Sequence, residues 1–177
     1  TYDELPEIYV DAVVSVEDKR FWSHGGVDFW AVGRAVWTDL KTMSFAEGGS
    51  TITQQLAKNL YFTQEKKLER KFAELFMAFR FESCCTKKEI FELYVNTIYF
   101  GSGYYGIYEA AEGYYGKSPS QLTSYESVML AGLPNAPSDY SPDVNPELSR
   151  QRMNQVLNRM IKCGVITEKE AADILAE

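Results

Sequence analysis

Two groups of polar residues stand out because their types suit chemistry at a sugar or a phosphate. Glu17 and Asp18 end an apolar run that begins near Ile8. About thirty residues later, a dense set of hydroxyls, amides and one lysine follows a pair of glycines. Its members are Ser50, Thr51, Thr53, Gln54, Gln55, Lys58 and Asn59. An acid or base beside hydrogen-bonding groups is what group transfer to or from a sugar or phosphate requires.

Spacing alone leaves the role of the acidic pair open. A carboxylate in partly apolar surroundings is better poised as a base, whereas solvated charges at a helix end are the commoner outcome. Neighbouring residues on a helix point about 100° apart, so Glu17 and Asp18 do not face one site equally. We therefore expect one of these carboxylates to take part in the reaction and the other to have a structural role. His24, the single histidine of the chain, is open to a catalytic reading and to a turn-stabilising one beside two glycines.

The second polar group and the residues after it suit an anionic ligand. Hydroxyls and backbone amides at a helix start can bind phosphate oxygens, and Ser50 is a plausible cap for a helix that starts there. A capped surface helix is the alternative. Farther along, Arg70 and Lys71 could hold a phosphate while Glu74 orients them. The alternative is a surface ion pair between Arg70 and Glu74, four residues apart.

Composition limits the class of protein. The chain has 177 residues, 45% of them hydrophobic, which suits one globular domain. A net charge of −7 argues against broad nucleic-acid binding. The three cysteines form no zinc motif, and adjacent Cys84 and Cys85 are a poor disulfide pair. We find no signal peptide and no apolar run of membrane-spanning length, so we expect an excised domain whose anchor was removed.

Apolar periodicity predicts a mainly α fold without an alternating strand set. One helix is expected from Pro6 to near Phe21, and a clear amphipathic helix from Leu68 to Phe81. The inward positions predicted for that second helix are Leu68, Phe72, Leu75, Phe76 and Phe79. Later helix starts are predicted at Thr86, Ser118, Thr123 and Thr167, where capping signatures occur. In the helix after Thr86, the side chains of Ile90, Leu93 and Tyr94 are expected to face inward. Residues 133–142 are rich in turn formers and predict an irregular loop.

These motifs, taken in order, resemble the peptidoglycan glycosyltransferase domain of glycosyltransferase family 51. This domain occurs in monofunctional transglycosylases and class A penicillin-binding proteins. The five matching segments are 17–28, 49–55, 70–74, 93–117 and 126–137. The resemblance implies one domain over 1–177, with a lysozyme-like helical lobe and a smaller membrane-associated jaw at roughly 30–60. It also suggests lipid-facing side chains at Trp30, Trp37, Met43 and Phe45.

The resemblance further implies a reaction in which lipid II is joined to a growing glycan chain with release of undecaprenyl pyrophosphate. Glu17 matches the general base and Glu74 the second important carboxylate. Substrate-binding residues implied by the same match are Ser50, Thr51, Gln54, Gln55, Lys58, Asn59, Arg70 and Lys71. Supporting positions are Asp18, Phe21, His24, Asn96 and Glu126. Of these, His24 is expected to be structural, and Glu126 to combine a helix cap with a site-shaping role.

The same resemblance implies an extracytoplasmic location at a bacterial cell membrane and free thiols at Cys84 and Cys85. Other implied partners are a transpeptidase domain in the full-length chain and moenomycin-type inhibitors. A divalent cation, Mg or Mn, is expected to help neutralise the pyrophosphate. One rival interpretation is a lysozyme-like lytic hydrolase with Glu17 as the acid. Another is a non-catalytic module that binds glycan or a moenomycin-type ligand.

Overall fold

The computed structural model describes residues 1–33, 49–61 and 68–177. Over these ranges the chain is helical, and its extended pairing is confined to an isolated antiparallel bridge between Tyr99 and Tyr105. The mainly α prediction is therefore confirmed. Residues 34–48 of the predicted jaw at 30–60 lie outside the described residues, and Trp37, Met43 and Phe45 are among them.

Ten helices are labelled here in chain order. In the described ranges they are α1 (Glu7–Glu17), α2 (29–33), α3 (Ile52–Tyr61), α4 (Leu68–Cys84), α5 (Lys87–Thr97), α6 (Ile107–Tyr115), α7 (Ser124–Gly132), α8 (Pro137–Tyr140), α9 (Pro146–Cys163) and α10 (Glu168–Leu175). Short 3₁₀ helices lie at Tyr2–Glu4, Phe21–Ser23, Pro119–Gln121 and Leu133–Asn135. Within the described ranges, none of these helices is long and apolar enough to cross a membrane.

The chain divides into two compact units. Residues 1–19 and 95–177 form unit 1, and residues 20–94 form unit 2. Helix α5 begins in unit 2 and ends in unit 1. The prediction of one domain over 1–177 stays a prediction.

Unit 1 is built around α1, α7 and α9, which pack on one another. Helix α1 follows Pro6 and carries apolar residues on most of its faces, so it is buried on several sides. Fully buried side chains of the three helices include Tyr9, Val13, Val128, Leu130, Met153 and Met160. Burying each such side chain contributes about 1.5–3 kcal/mol. Glu17 is the last residue of α1, so its position is set by this core.

Capping motifs set the helix boundaries of unit 1. Thr123 accepts a hydrogen bond from the backbone N–H of Glu126, and the Glu126 carboxylate accepts one from the N–H of Thr123. Thr167 begins α10 in the same way. Gly164 ends α9 with a φ of 74°, a conformation that glycine adopts without cost. These predicted boundaries are confirmed.

Unit 2 packs α3 against α4, and its core contains the 3₁₀ turn at Phe21. Buried core residues of this unit are Phe21, Ile52, Leu56, Ala78, Ile90, Phe91 and Tyr94. Gly26 lies close to α4, because a Cβ there would come within 3.1 Å of the Ala78 carbonyl oxygen. Its φ of 89° also favours glycine.

The prediction for the inward face of α4 was wrong. Phe72, Phe76 and Phe79 are 47–72% exposed, whereas Glu74 and Ala78 are buried. The buried positions of α4 are Glu74 and Ala78, and Gly26 approaches the helix at Ala78.

Four smaller predictions also differ from the structure. Helix α1 ends at Glu17 rather than near Phe21, because a separate 3₁₀ turn follows. Residues 133–142 include a 3₁₀ turn and the short helix α8 rather than an irregular loop. Leu93, predicted to face inward, is exposed, although its neighbours Ile90 and Tyr94 are buried as expected. The fourth difference is the cap of α3, which is Thr51 rather than Ser50.

Candidate active site

Glu17 stands at the carboxyl end of α1 with its side chain only 10% exposed. Its Oε1 lies 3.9 Å from Nη2 of Arg152, a residue of α9 in the same unit. The hydroxyl of Tyr9 is fully buried, and burial, followed by the negative charge of Glu17, raises the pKa of Tyr9. Glu17 is therefore a nearly buried carboxylate with a cation beside it, rather than a solvated helix-end charge.

Arg152 is the neighbour that sequence reasoning missed. Its Nε donates to the Gly132 carbonyl at 3.1 Å and its Nη1 to Gln155 Oε1 at 3.1 Å. The guanidinium also lies over the Tyr140 ring, 5.6 Å from its centroid. The available signal was weak: Arg152 directly precedes Met153 in the buried stripe of α9, which places it at the margin of that stripe.

Asp18 is separated from Glu17 by the end of the helix. Its backbone N–H donates to the Val14 carbonyl at 3.1 Å, and its φ of −158° is extended. Asp18 is buried as well. The two adjacent carboxylates thus occupy different environments, although their division into a chemical and a structural group stays a prediction.

In unit 2, a cation cluster surrounds Glu74 on α4. Oε1 of this carboxylate lies 2.9 Å from Nε of Arg70, as an ion pair rather than an aligned hydrogen bond. Its Oε2 accepts from Lys71 Nζ at 3.0 Å, and the same Nζ donates to Ser50 Oγ at 2.7 Å. The ion pair between Arg70 and Glu74 considered from the sequence is therefore present, but Glu74 is 2% exposed, so its placement on the surface was wrong.

This arrangement suits an anion that reaches Lys71 from solvent. Lys71 is 47% exposed and Arg70 20% exposed, whereas the carboxylate that positions them is buried. The buried carboxylate thus positions both cations, and Lys71 is the one that is well exposed to solvent. A planar guanidinium and a compact ammonium together match the oxygens of a phosphate group.

The start of α3 is held by a reciprocal pair of side-chain bonds. Thr51 N–H donates to Gln54 Oε1 at 2.9 Å, and Gln54 N–H donates to Thr51 Oγ1 at 3.1 Å. The Thr51 hydroxyl also donates to the Gly26 carbonyl at 2.6 Å, which ties the first motif segment to the second. Both side chains are buried, so in this structure they shape the helix start. Their predicted contact with substrate stays a prediction.

The remaining polar residues of α3 differ in exposure. Gln55 accepts a hydrogen bond from the Tyr94 hydroxyl at 3.2 Å and is half-buried. Lys58 and Asn59 are exposed. Among the predicted ligands of this segment, Lys58, Asn59 and the half-buried Ser50 are thus the most accessible to a bound molecule.

The segment from Phe21 to Asp28 is braced internally. Both Asp28 oxygens accept hydrogen bonds from Arg20, one of them at 2.8 Å, and Oδ1 also accepts from the Ala31 N–H at the start of α2. His24 Nδ1 accepts from the Gly26 N–H at 3.2 Å, which is the geometry expected of a turn-stabilising histidine. Phe21 is fully buried.

The other two supporting residues lie in unit 1. Glu126 completes the cap of α7 and accepts two hydrogen bonds from Lys117, at 2.7 and 2.9 Å. Asn96 is exposed near the end of α5, and its backbone carbonyl lies against Gly106. Both residues have structural contacts, and their contribution to a reaction stays a prediction.

The residues around Glu17 and Glu74 do not fit the predicted Mg or Mn ion as one held by the protein alone. In the part of the chain that the structure describes, no three His, Cys, Asp or Glu side chains are grouped as ligands. The neighbours of Glu74 are two cations, which repel a metal ion. The predicted Mg or Mn ion stays a prediction, and no step below passes through it.

The chain is similar to one group of proteins along most of its length. A family model described as Transglycosylase matches residues 1–161. Penicillin-binding protein 1A of Neisseria flavescens is 46% identical over 175 residues, which is 99% of this chain and 22% of the relative. Penicillin-binding protein 1A of Aquifex aeolicus (strain VF5) is 46% identical over 168 residues, 95% of this chain and 23% of the relative.

A similar solved structure carries the same name. The crystal structure of penicillin-binding protein 1A from Haemophilus influenzae is 33% identical with a TM-score of 0.49, and the match covers 71% of this chain and 15% of that one. The chain spans less than a quarter of the length of the two relatives named above.

Proposed function

The chain belongs to the transglycosylase family, and we propose that it polymerises lipid II into glycan strands by inverting glycosyl transfer. Family membership identifies it as a peptidoglycan glycosyltransferase domain. The observation that supports the substrate best is the cluster in which buried Glu74 holds Arg70 and Lys71. Two positioned cations suit a substrate whose leaving group is a pyrophosphate.

Glu17 is the proposed general base. It takes the proton from the 4-hydroxyl of the acceptor GlcNAc as that oxygen attacks the anomeric carbon of the donor MurNAc. The bond from the anomeric carbon to the phosphate oxygen breaks, and its electron pair leaves with undecaprenyl pyrophosphate. Attack opposite the leaving group converts an α-linked donor into a β-linked product. The low exposure of Glu17 and its place at the end of a packed helix support this role, since both hold the carboxylate in position.

Arg70 and Lys71 are the proposed partners of the leaving group. Pyrophosphate is already a good leaving group, so stabilising its charge matters more than protonating it. Glu74 keeps the two cations in place before substrate arrives, and the exposed Lys58 extends the same positive character along α3. A divalent cation carried by the pyrophosphate itself remains compatible with this assignment.

The cellular setting follows from the relatives as a proposal. Lipid II is membrane-bound, so we place the domain at the membrane surface on the extracytoplasmic face. The exposed Trp30, at 80%, is compatible with a lipid-facing position in the predicted jaw. The names of the relatives support a transpeptidase domain elsewhere in the full-length protein. Moenomycin-type inhibitors are expected to compete for the donor site.

The test is polymerisation of purified lipid II by the wild type and by the Glu17→Gln variant. Loss of a general base lowers the rate by about 10²–10⁴-fold. Glutamine keeps the size of the side chain, so the variant should remain folded. Glu7→Gln is the matched control, because Glu7 is an exposed carboxylate in the first turn of the same helix.

Three outcomes would contradict the proposal. Full polymerising activity of Glu17→Gln would remove the base assignment. Cleavage of finished glycan without a lipid-linked donor would indicate a lytic hydrolase. Binding of lipid II without turnover by the wild type would indicate a binding module.

A further inference from the structure

Adjacent thiols at the junction of α4 and α5 have no part in the proposed reaction. Cys84 is the last residue of α4, and Cys85 precedes Thr86, which caps α5. Their sulfur atoms lie 3.5 Å apart, and both thiols are free. Cys84 is exposed and Cys85 half-buried, so a small solute can reach the pair.

The backbone on both sides of the pair is held in place. The Cys85 N–H donates to the Phe81 carbonyl at 2.8 Å, which continues the helical hydrogen bonding of α4. Glu89 accepts from the N–H and the hydroxyl of Thr86, at 2.7 and 2.8 Å. The two thiols therefore project from a short segment whose backbone is anchored at both ends.

This geometry opposes a disulfide between the two residues. Consecutive Cα atoms are about 3.8 Å apart, whereas disulfides prefer roughly 4.4–6.8 Å. The sulfurs would also have to close from 3.5 Å to about 2.0 Å. Both changes require Cys84 to leave its helical conformation. The pair is thus better arranged as a dithiol than as a disulfide.

The same separation suits two bonds to one ion. Zinc–thiolate bonds are about 2.3 Å long, so an ion bound to two sulfurs 3.5 Å apart would subtend about 100°. That angle is close to the roughly 110° of tetrahedral coordination. Binding would need little movement of either side chain.

We propose that Cys84 and Cys85 form a two-thiolate chelate for a thiophilic divalent cation of the Zn²⁺ and Cd²⁺ class. Soft thiolate ligands favour such ions over Mg²⁺ or Ca²⁺. The other coordination positions stay open for water or for a group of another molecule. Glu89 does not supply a third ligand while its carboxylate caps α5.

Binding must displace the thiol protons. Burial, together with the neighbouring Cys84 and Glu89, raises the pKa of the Cys85 thiol, so few thiolates form there at neutral pH. A bound cation reverses this by deprotonating its thiol ligands outright. The closely spaced negative charge of two thiolates is then neutralised by the ion.

The experiment is a Cd²⁺ titration of the reduced protein, followed by the thiolate-to-cadmium charge-transfer band in the ultraviolet. We expect saturation at one ion per chain and displacement of Cd²⁺ by Zn²⁺. Cys84→Ser and Cys85→Ser should each weaken binding by at least about 100-fold, because the second thiolate no longer binds intramolecularly. Cys163→Ser is the matched control and should bind like the wild type, since this exposed thiol stands on α9 in the other unit.

Three results would overturn the proposal. Equal affinity in Cys84→Ser would show that single thiols account for binding. Loss of the band in Cys163→Ser would place the ion elsewhere. A thiol count of one in protein isolated without reductant would show that the pair is oxidised to a disulfide. None of these depends on transferase activity, so the proposed function stands or fails separately.

Discussion

Replacing Glu74 by glutamine removes the charge that Arg70 and Lys71 both contact while keeping the size of the side chain. In the native protein the two carboxylate oxygens lie 2.9 Å from Arg70 Nε and 3.0 Å from Lys71 Nζ. The variant leaves two neighbouring cations without this counter-charge. We expect it to be less stable and to bind small anions more tightly.

The size of the destabilisation follows from burial. Removing one partner of a fully buried ion pair costs about 3–5 kcal/mol. Arg70 is 20% exposed, and the glutamine side chain still presents an oxygen to it. The cost of losing the Arg70 ion pair therefore falls below that range. The half-exposed Lys71 adds no more than about 1 kcal/mol. We expect a loss of about 2–3 kcal/mol, which lowers Tm by roughly 4–12 °C in a chain of this length.

Thermal unfolding with and without inorganic pyrophosphate is the assay. An anion that binds only the folded state raises the free energy of unfolding by RT ln(1 + [L]/Kd). If the variant binds pyrophosphate at least about tenfold more tightly, its stabilisation exceeds that of the wild type by about 1.4 kcal/mol. That difference corresponds to roughly 3–6 °C in Tm. High salt should reduce it through screening.

Glu69→Gln is the control, because Glu69 is an exposed carboxylate in the first turn of the same helix. It makes the same change in net charge and should change the free energy of unfolding by less than about 0.5 kcal/mol. An equal pyrophosphate response in the wild type and in Glu74→Gln would refute the reasoning. It would mean that the charge of Glu74 does not govern anion binding at Arg70 and Lys71.

Further predictions concern the scaffold. Gly106→Ala should destabilise the fold more than Gly103→Ala, although both glycines have positive φ. Of the two, only Gly106 has a backbone carbonyl within 2.7 Å of the added Cβ. Denaturant unfolding should show a cost of about 1–3 kcal/mol. The hydrogen bonds from Thr167 lower the pKa of the Glu170 carboxyl. The ionised cap therefore stabilises the fold above the ordinary pKa of glutamate, and this stabilisation is lost as pH falls through the lowered pKa. Glu170→Gln should flatten the acid side of a plot of Tm against pH. Glu82→Gln should weaken the 2.7 Å bond from Thr53, and lower Tm and lipid II turnover together.

Local signals in the sequence predicted most of the helix boundaries. A capping box requires only a hydroxyl and a carboxylate three residues apart, and Thr86, Thr123 and Thr167 each begin a helix in this way. Gly164 ends α9 because a left-handed residue is needed there. These features depend on neighbours within one turn, so they can be read without knowing the fold.

Features that depend on distant contacts were predicted poorly. The stripe of Phe72, Phe76 and Phe79 has the helical period, yet period alone does not say which face a neighbouring segment covers. The face that is covered contains Glu74 and Ala78, because Gly26 approaches the helix there. Spacing also favoured Ser50 as the cap of α3, whereas the Thr51 hydroxyl is the one that bonds both Gln54 and the distant Gly26 carbonyl.

The sequence by itself determined the family and the identity of the residues to examine, since the motifs occur in a fixed order and carry distinctive residue types. Only the tertiary structure decided the environment of each carboxylate. It placed Glu17 beside Arg152, far along the chain, and it buried Glu74 between two cations that spacing alone would leave on the surface. Exposure and ion pairing arise from packing between distant segments, and local periodicity carries no information about that packing.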